Sequence, residues 1–379
     1  MIKLKQDADK VELVKLIGSK NPIESKAAQE AFAAAIGPVI GEVLKQAGTA
    51  SLIYQDWAFD PDDQPSIPLD MFFGEGAGYI PVWFMPSIAG GLPSSQIESA
   101  GEMKISTYTL ESAVNFAKKY ARKSNFNVLN MAIERMTQEI LLKQERQAWA
   151  VILRALGEAS TNSVKHTIRS SALNVLQLDD FNRLLTLNKR LNQSFANGTP
   201  TSVVSKGITD IFLSPEMKEQ IRGFAYQPMN TRIGAQGTAG TPVGGSTAVP
   251  LPDAVRNAIF NSAGDTSIYG INITELNELG TDEKYNVLFA NYATTNIGGT
   301  DTTPANFSSS ADEIVIGVDL SMGAFKRAVE TDPLSNSTFN VSPDDQFPVR
   351  SDKVGFYGGV TEGRLCLQSK AIVGLVING

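Results

Sequence analysis

One histidine, His166, and one cysteine, Cys366, set the limits of this chain's chemistry. A single cysteine makes no intrachain disulfide and no cysteine-based zinc site. A single histidine removes multi-histidine metal sites and leaves little room for a Ser-His-Asp arrangement. His166 lies in the polar run Lys165-His-Thr-Ile-Arg with no partner constellation, so a surface or hydrogen-bonded residue is expected. Cys366, between Leu365 and Leu367, reads as a small hydrophobe in a strand and not as a nucleophile. Asp60, Asp62 and Asp63 have the look of a calcium loop, but Pro65 stands in place of the loop glycine and no suitably spaced glutamate follows, which leaves a solvated turn. Asp179-Asp180 and Asp344-Asp345 are adjacent pairs, and side chains one residue apart do not converge on one site. Gly234, Gly237 and Gly240 miss the GxGxxG spacing, and neither a GxxxxGK[ST] loop nor a GxSxG elbow occurs. No catalytic, cofactor-binding or metal-ligating residue is expected, and no cofactor.

Two features remain. Lys118, Lys119, Arg122 and Lys123 form a short basic run, open to three readings: a phosphate contact, a solvated face or an intersubunit salt bridge. Trp83-Phe84-Met85 is an aromatic and methionine cluster among prolines and glycines. Such clusters pack in cores or anchor interfaces, and the surrounding Pro81, Pro86, Gly90 and Gly91 favour an interface, with Tyr79, Trp83, Phe84, Met85, Ile88 and Leu92 as its residues.

The elements that must position these residues follow from pattern. With 379 residues, 42% hydrophobic and 19% charged, the chain can bury two or three cores. Its net charge of −7 gives no whole-chain reason to hold nucleic acid or an acidic membrane. The N-terminus lacks the order of a signal peptide, and the apolar stretch from Tyr79 to Leu92 is shorter than the ~20 residues a membrane span needs. A soluble, intracellular product is expected. Asn21, Pro22 and Glu24 mark a helix start, with a break or kink at Gly37-Pro38 and an end at Gly48. Residues 51–78 read as an irregular arm that must lie along something else. An open hairpin follows, and a strand through Val114, Phe116, Lys118 and Tyr120. Leu129, Ile133, Met136, Ile140, Ala148, Ile152 and Leu156 then mark a long amphipathic helix over 126–156. A helix after Asp179 running to Phe195, a strand at 209–213 and a helix opened by Ser214-Pro215-Glu216 come next. Residues 227–250 and 294–310 read as loops, and the closing part as strands at 313–319, 354–360 and 371–377.

This order of parts resembles the major capsid protein of tailed bacteriophages, the Hong Kong 97-like fold. Thr209-Asp-Ile-Phe-Leu-Ser-Pro-Glu-Met-Lys resembles that family's entry to the axial domain, and Val354-Gly-Phe-Tyr-Gly-Gly-Val resembles its terminal strands. The resemblance implies an α+β chain divided into an N-terminal arm (1–74), an extended E-loop (75–104), a peripheral domain (105–206 and 316–379, spine helix 126–156) and an axial domain (207–315). It implies a non-enzymatic head protein assembling as hexamers and pentamers into an icosahedral or prolate shell around double-stranded DNA. Portal, scaffolding or decoration proteins would be partners, DNA would be contacted weakly, and no membrane would be. Assembly would take place in the host cytoplasm and the product would reside in the virion. An encapsulin-type nanocompartment shell is the alternative, disfavoured by the extra loops. Many relatives lose a scaffolding segment to a protease. Here only about twenty residues precede the first capped helix, so no cleaved pro-segment is expected. The type member welds subunits through an E-loop lysine, an asparagine and a glutamate base. The stretch from Glu75 to Met103 contains no lysine, and Lys104 stands at its base, so no such bond is expected.

Overall fold

The structure, a computed structural model, describes residues 8–46, 48–69, 101–123, 126–159, 165–195, 207–223, 257, 267–293, 307–332, 337–344 and 352–377. The chain divides into two compact units, residues 1–146 with 326–365, and residues 147–325 with 366–379. This division cuts the chain at other points than the arm, loop, peripheral and axial division by role. Helices and sheets with both parallel and antiparallel pairs occur in both, an α+β chain.

In the first unit, α1 (Ala8–Ile17) precedes α2 (Pro22–Gln46). Asn21 caps α2 as its sequence signals: the Ile23 N–H donates to Asn21 Oδ1 at 3.2 Å. Glu24, in contrast, reaches Ser19 Oγ rather than closing a box on Asn21. No break occurs at Gly37-Pro38, and α2 runs on through Pro38. Gly37 and Gly41 lie on the face that meets residues 337–341. A Cβ at Gly41 would stand 2.9 Å from Thr338 Oγ1 and one at Gly37 3.1 Å from Phe339 O.

The sheet of this unit joins β1 (Gln55–Phe59), β9 (Phe325–Glu330), β11 (Lys353–Cys366) and β10 (Asn340–Asp344) in that order, with β4 (Tyr108–Ala117) also on β11. The irregular arm expected over 51–78 is corrected in part. Gln55–Phe59 forms a parallel edge on β9, from Gln55↔Lys326 to Phe59↔Glu330, and Ser66–Leu69 forms β2, paired antiparallel to β3 (Gly101–Lys104). The strand expected to reach Tyr120 stops at Ala117, where a short helix, α3 (Lys118–Arg122), begins. Alternation along β4 and β11 puts Leu110, Phe116, Val354, Phe356 and Val360 into one core with Phe32, Ile36 and Ile40 of α2. Ile133, Met136 and Ile140 join that core from α4 (Phe126–Ala159), which ends three residues beyond the expected 156.

The second unit is built on the mixed sheet β5 (Thr167–Arg169), β12 (Ile372–Ile377), β8 (Glu313–Val318), β6 (Asp210–Leu213) and β7 (Asn272–Glu275). β8 and β12 are buried along their whole length, which is why, apart from Glu313 at the start of β8, they read as continuous apolar runs. Ile211, Leu213, Val315, Val373 and Leu375 pack with α5 (Leu178–Phe195) and α6 (Pro215–Gly223). Phe212, one residue out of step, points the other way and meets the edge of Trp149 from α4 at 5.0 Å. Trp149 also touches Tyr285 of α7 (Lys284–Tyr292) at 5.8 Å. The cap read at Ser214 is present, with Met217 N donating to its Oγ at 3.2 Å.

Candidate functional site

The expected interface residues Tyr79, Trp83, Phe84, Met85, Ile88 and Leu92 lie outside the described residues. What the structure places is their base. Leu69 pairs with Gly101 and Ser66 with Lys104, and Ile105 N donates to Pro65 O at 2.9 Å. The ends of the segment from 70 to 100 are thereby pinned side by side. Lys104 sits at the foot of the ribbon, where the sequence puts it.

Among the described residues, the richest cluster of ionisable groups lies in the same unit and centres on Glu362, which is fully buried. Arg327 Nε donates to Glu362 Oε2 at 2.7 Å and an Arg364 nitrogen to Oε1 at 3.2 Å. Tyr108 Oη donates to Oε1 at 2.7 Å and Gln144 Nε2 to Oε2 at 3.2 Å. Arg327 also pairs with Asp56 at 3.4 Å, and Arg364 stacks over the Tyr54 ring at 5.2 Å. Burial alone would raise the Glu362 pKa, but the two arginines, with hydrogen bonds from Tyr108 and Arg327, hold it below the usual carboxylate range. Burial, reinforced by the Glu362 charge, pushes the Tyr108 phenol above its ordinary value. A carboxylate held charged in this way offers no proton to exchange near neutral pH. This hub ties the arm strand β1, the strand that follows the ribbon, the long helix and β11 together. It was not foreseen, because Asp56, Tyr108, Gln144, Arg327 and Glu362 are scattered across the sequence.

The single histidine, the buried Asp180 and the single cysteine are held by structure. His166 is buried and not a surface residue, its Nδ1 3.0 Å from Ile372 O, and burial lowers its pKa. Asp180, fully buried, accepts from Ser171 N, Ser171 Oγ and Gln177 N and pairs with Arg183, so it secures the start of α5. Cys366 is half-buried at the end of β11, and desolvation raises its thiol pKa to about 12. Asp63 N closes a turn on Asp60 O at 3.0 Å. Asp344 ends β10, whereas Asp345 lies outside the described residues, as do Gly234, Gly237 and Gly240. Among the described residues, no group of three or more His, Cys, Asp or Glu side chains is placed to hold a metal ion.

Solved structures with a similar chain course were found across most of the length. The capsid of cyanophage P-SCSP1u matches with a TM-score of 0.49 and 13% identity, covering 85% of this chain and 86% of that one. The mature capsid of bacteriophage PhiM1 matches at 0.46 and 8%, over 87% and 86%. The capsid of a native GTA particle matches at 0.47 and 11%, over 88% and 91%. These similar structures are capsids. Neither a family model nor a curated protein sequence matches the chain.

Proposed function

We propose that this chain is the major capsid protein of a tailed bacteriophage, assembling as hexamers and pentamers into an icosahedral or prolate shell that encloses double-stranded DNA. The observation that carries the reading is the pinned ribbon: Leu69↔Gly101 closes a 31-residue excursion whose sequence is aromatic and broken by proline and glycine. A two-stranded ribbon is marginal alone in water, so such an excursion gains stability by lying on another surface. A neighbouring copy supplies that surface in a shell, with Trp83, Phe84 and Met85 as anchors. Support also comes from the 34-residue α4, a rod some 50 Å long at ~1.5 Å per residue. In this reading residues 1–74 are the arm, 105–206 with 316–379 the peripheral domain, and 207–315 the axial domain around the symmetry axes. Closed symmetry then multiplies a modest contact over many copies.

Sedimentation and negative-stain microscopy of the purified full chain test this. Closed shells of megadalton size are expected, and a monodisperse monomer at all concentrations would overturn the reading. Shells isolated from a producing cell should hold DNA and not a packaged enzyme.

A further inference from the structure

The chain between α1 and α2 lies against α3. A Cβ on Gly18 would stand 2.6 Å from Arg122 N and 2.8 Å from its Cγ, so glycine alone permits the approach. Arg122 Nε donates to Gly18 O at 2.9 Å, and Lys118 N to Asp352 O at 2.8 Å. These contacts gather cations from three stretches of sequence. Lys15 and Lys20 come from the end of α1 and the turn beyond it, Lys118, Lys119 and Lys123 from α3 and its end, and Lys353 from the start of β11. All are exposed except the half-buried Lys118. Arg122 is neutralised by Asp352 at 3.2 Å. Among the described residues none of the six lysines has an ion-pair partner. The carboxylates on α1 and in the first turn of α2 are Asp9 and the exposed Glu12 and Glu24, the last hydrogen-bonded to Ser19. In a chain of net charge −7, residues 118–123 hold four cations and no acid.

We propose that this face binds the phosphate backbone of double-stranded nucleic acid without reading sequence, and is the surface that meets the enclosed DNA. The inference rests on the shell reading above. Unpaired lysines release condensed counterions when they neutralise phosphates, an attraction that depends on salt and not on base sequence. Base readout needs an element that enters a groove, and five-residue α3 is too short for it. An anionic lipid surface suits the face less well. The Tyr120 ring lies beneath Lys119, with Nζ 5.0 Å from its centroid, and the exposed apolar side chains Leu16 and Ile23 are two where insertion needs a broad apolar face. The acidic remainder of the chain keeps the hold weak, so DNA can slide along the face.

Fluorescence anisotropy of a labelled 30-base-pair duplex with the full chain as unassembled subunits, separated from closed shells by sedimentation, between 50 and 200 mM salt, tests the inference. Affinity independent of sequence is expected, falling about a hundredfold over that range if roughly four phosphates are neutralised. K118E/K119E/K123E should weaken binding at least tenfold at low salt and flatten the salt slope. A control, K143E/K284E, changes exposed lysines elsewhere and should bind as the parent does. If the triple charge reversal fails to fold, K118Q/K119Q/K123Q gives the same readout with a smaller loss. Unchanged binding by the triple variant, equal loss in the control, or binding of phosphatidylserine vesicles or polyglutamate in preference to duplex would overturn the inference. Shell assembly of each chain, followed by sedimentation, separates the two readings. Shells from a variant that binds DNA like the parent overturn the binding face alone, and an unaltered chain that forms no shell overturns the shell reading.

Discussion

Glu362 and Glu313 are both buried acids, yet they respond to pH with opposite sign. Glu362 has a folded pKa below its unfolded value, because two arginines outweigh its burial. Its contribution to stability is complete above about pH 4.5 and is lost as pH falls through the depressed value. Glu362→Gln removes the shared counter-charge of Arg327 and Arg364, and should cost about 3 kcal/mol at neutral pH, read from urea midpoints. An unchanged midpoint would show that the hub is not stabilised by charge. Glu313 has a folded pKa above its unfolded value, first through burial and further through Glu216, against hydrogen bonds from Ser214 and Thr281. Its contribution is complete at low pH and is lost as pH rises through the raised value. Glu313→Gln should therefore raise the melting temperature near pH 7 and remove that part of the decline. A melting curve that keeps the parent's pH profile would contradict the assignment.

At the scale of elements, close approach is set by single glycines. A Cβ at Gly363 would stand 2.7 Å from Ser106 O and 2.7 Å from Ile105 Cγ2, at the foot of the ribbon. Gly363→Ala should destabilise by about 1–3 kcal/mol. Gly359→Ala, four residues earlier on the same strand, meets nothing closer than 3.5 Å and should change stability by less than about 0.5 kcal/mol. Equal urea midpoints for the two would refute the distinction. The long helix, the caps at Asn21 and Ser214 and the apolar strands β8 and β12 were legible, because each carries its signal within a few turns or residues. β1 was not, since Gln55-Asp56-Trp57-Ala58 is exposed at every position and shows no alternation. Its regularity comes from pairing with β9, some 270 residues away. β10 hid for a related reason: it is an edge strand interrupted by Pro343, which edges tolerate. The Glu362 hub was illegible because its members meet only after the sheet has formed.

On the scale of the whole molecule, the shell reading makes two demands. Changing Trp83 and Phe84 together to serine should leave a soluble subunit with native circular dichroism that fails to close shells. Interface anchors of this kind are each worth about 2 kcal/mol or more, repeated in every copy. Loss of the native spectrum as well would place them in the subunit's own core. Because the stretch from Glu75 to Met103 offers no lysine, particles boiled in detergent should give one band at 40.7 kDa. A ladder of surviving multimers would show a covalent weld made elsewhere.

The discontinuity of the two units also bears on synthesis. The first unit needs residues 326–365 to finish what residues 1–146 begin, and the second needs residues 366–379. β11 receives both β4 and β10, and β12 lies between β5 and β8, so each sheet lacks an inner strand until the C-terminal stretch has left the ribosome. Neither core can therefore close on a nascent chain. In the shell reading, chains cut short before β11 would leave both five-stranded sheets without an inner strand and so would not enter a lattice of intact copies. In that reading, the late arrival of β11 and β12 acts as a built-in proofreading step for assembly.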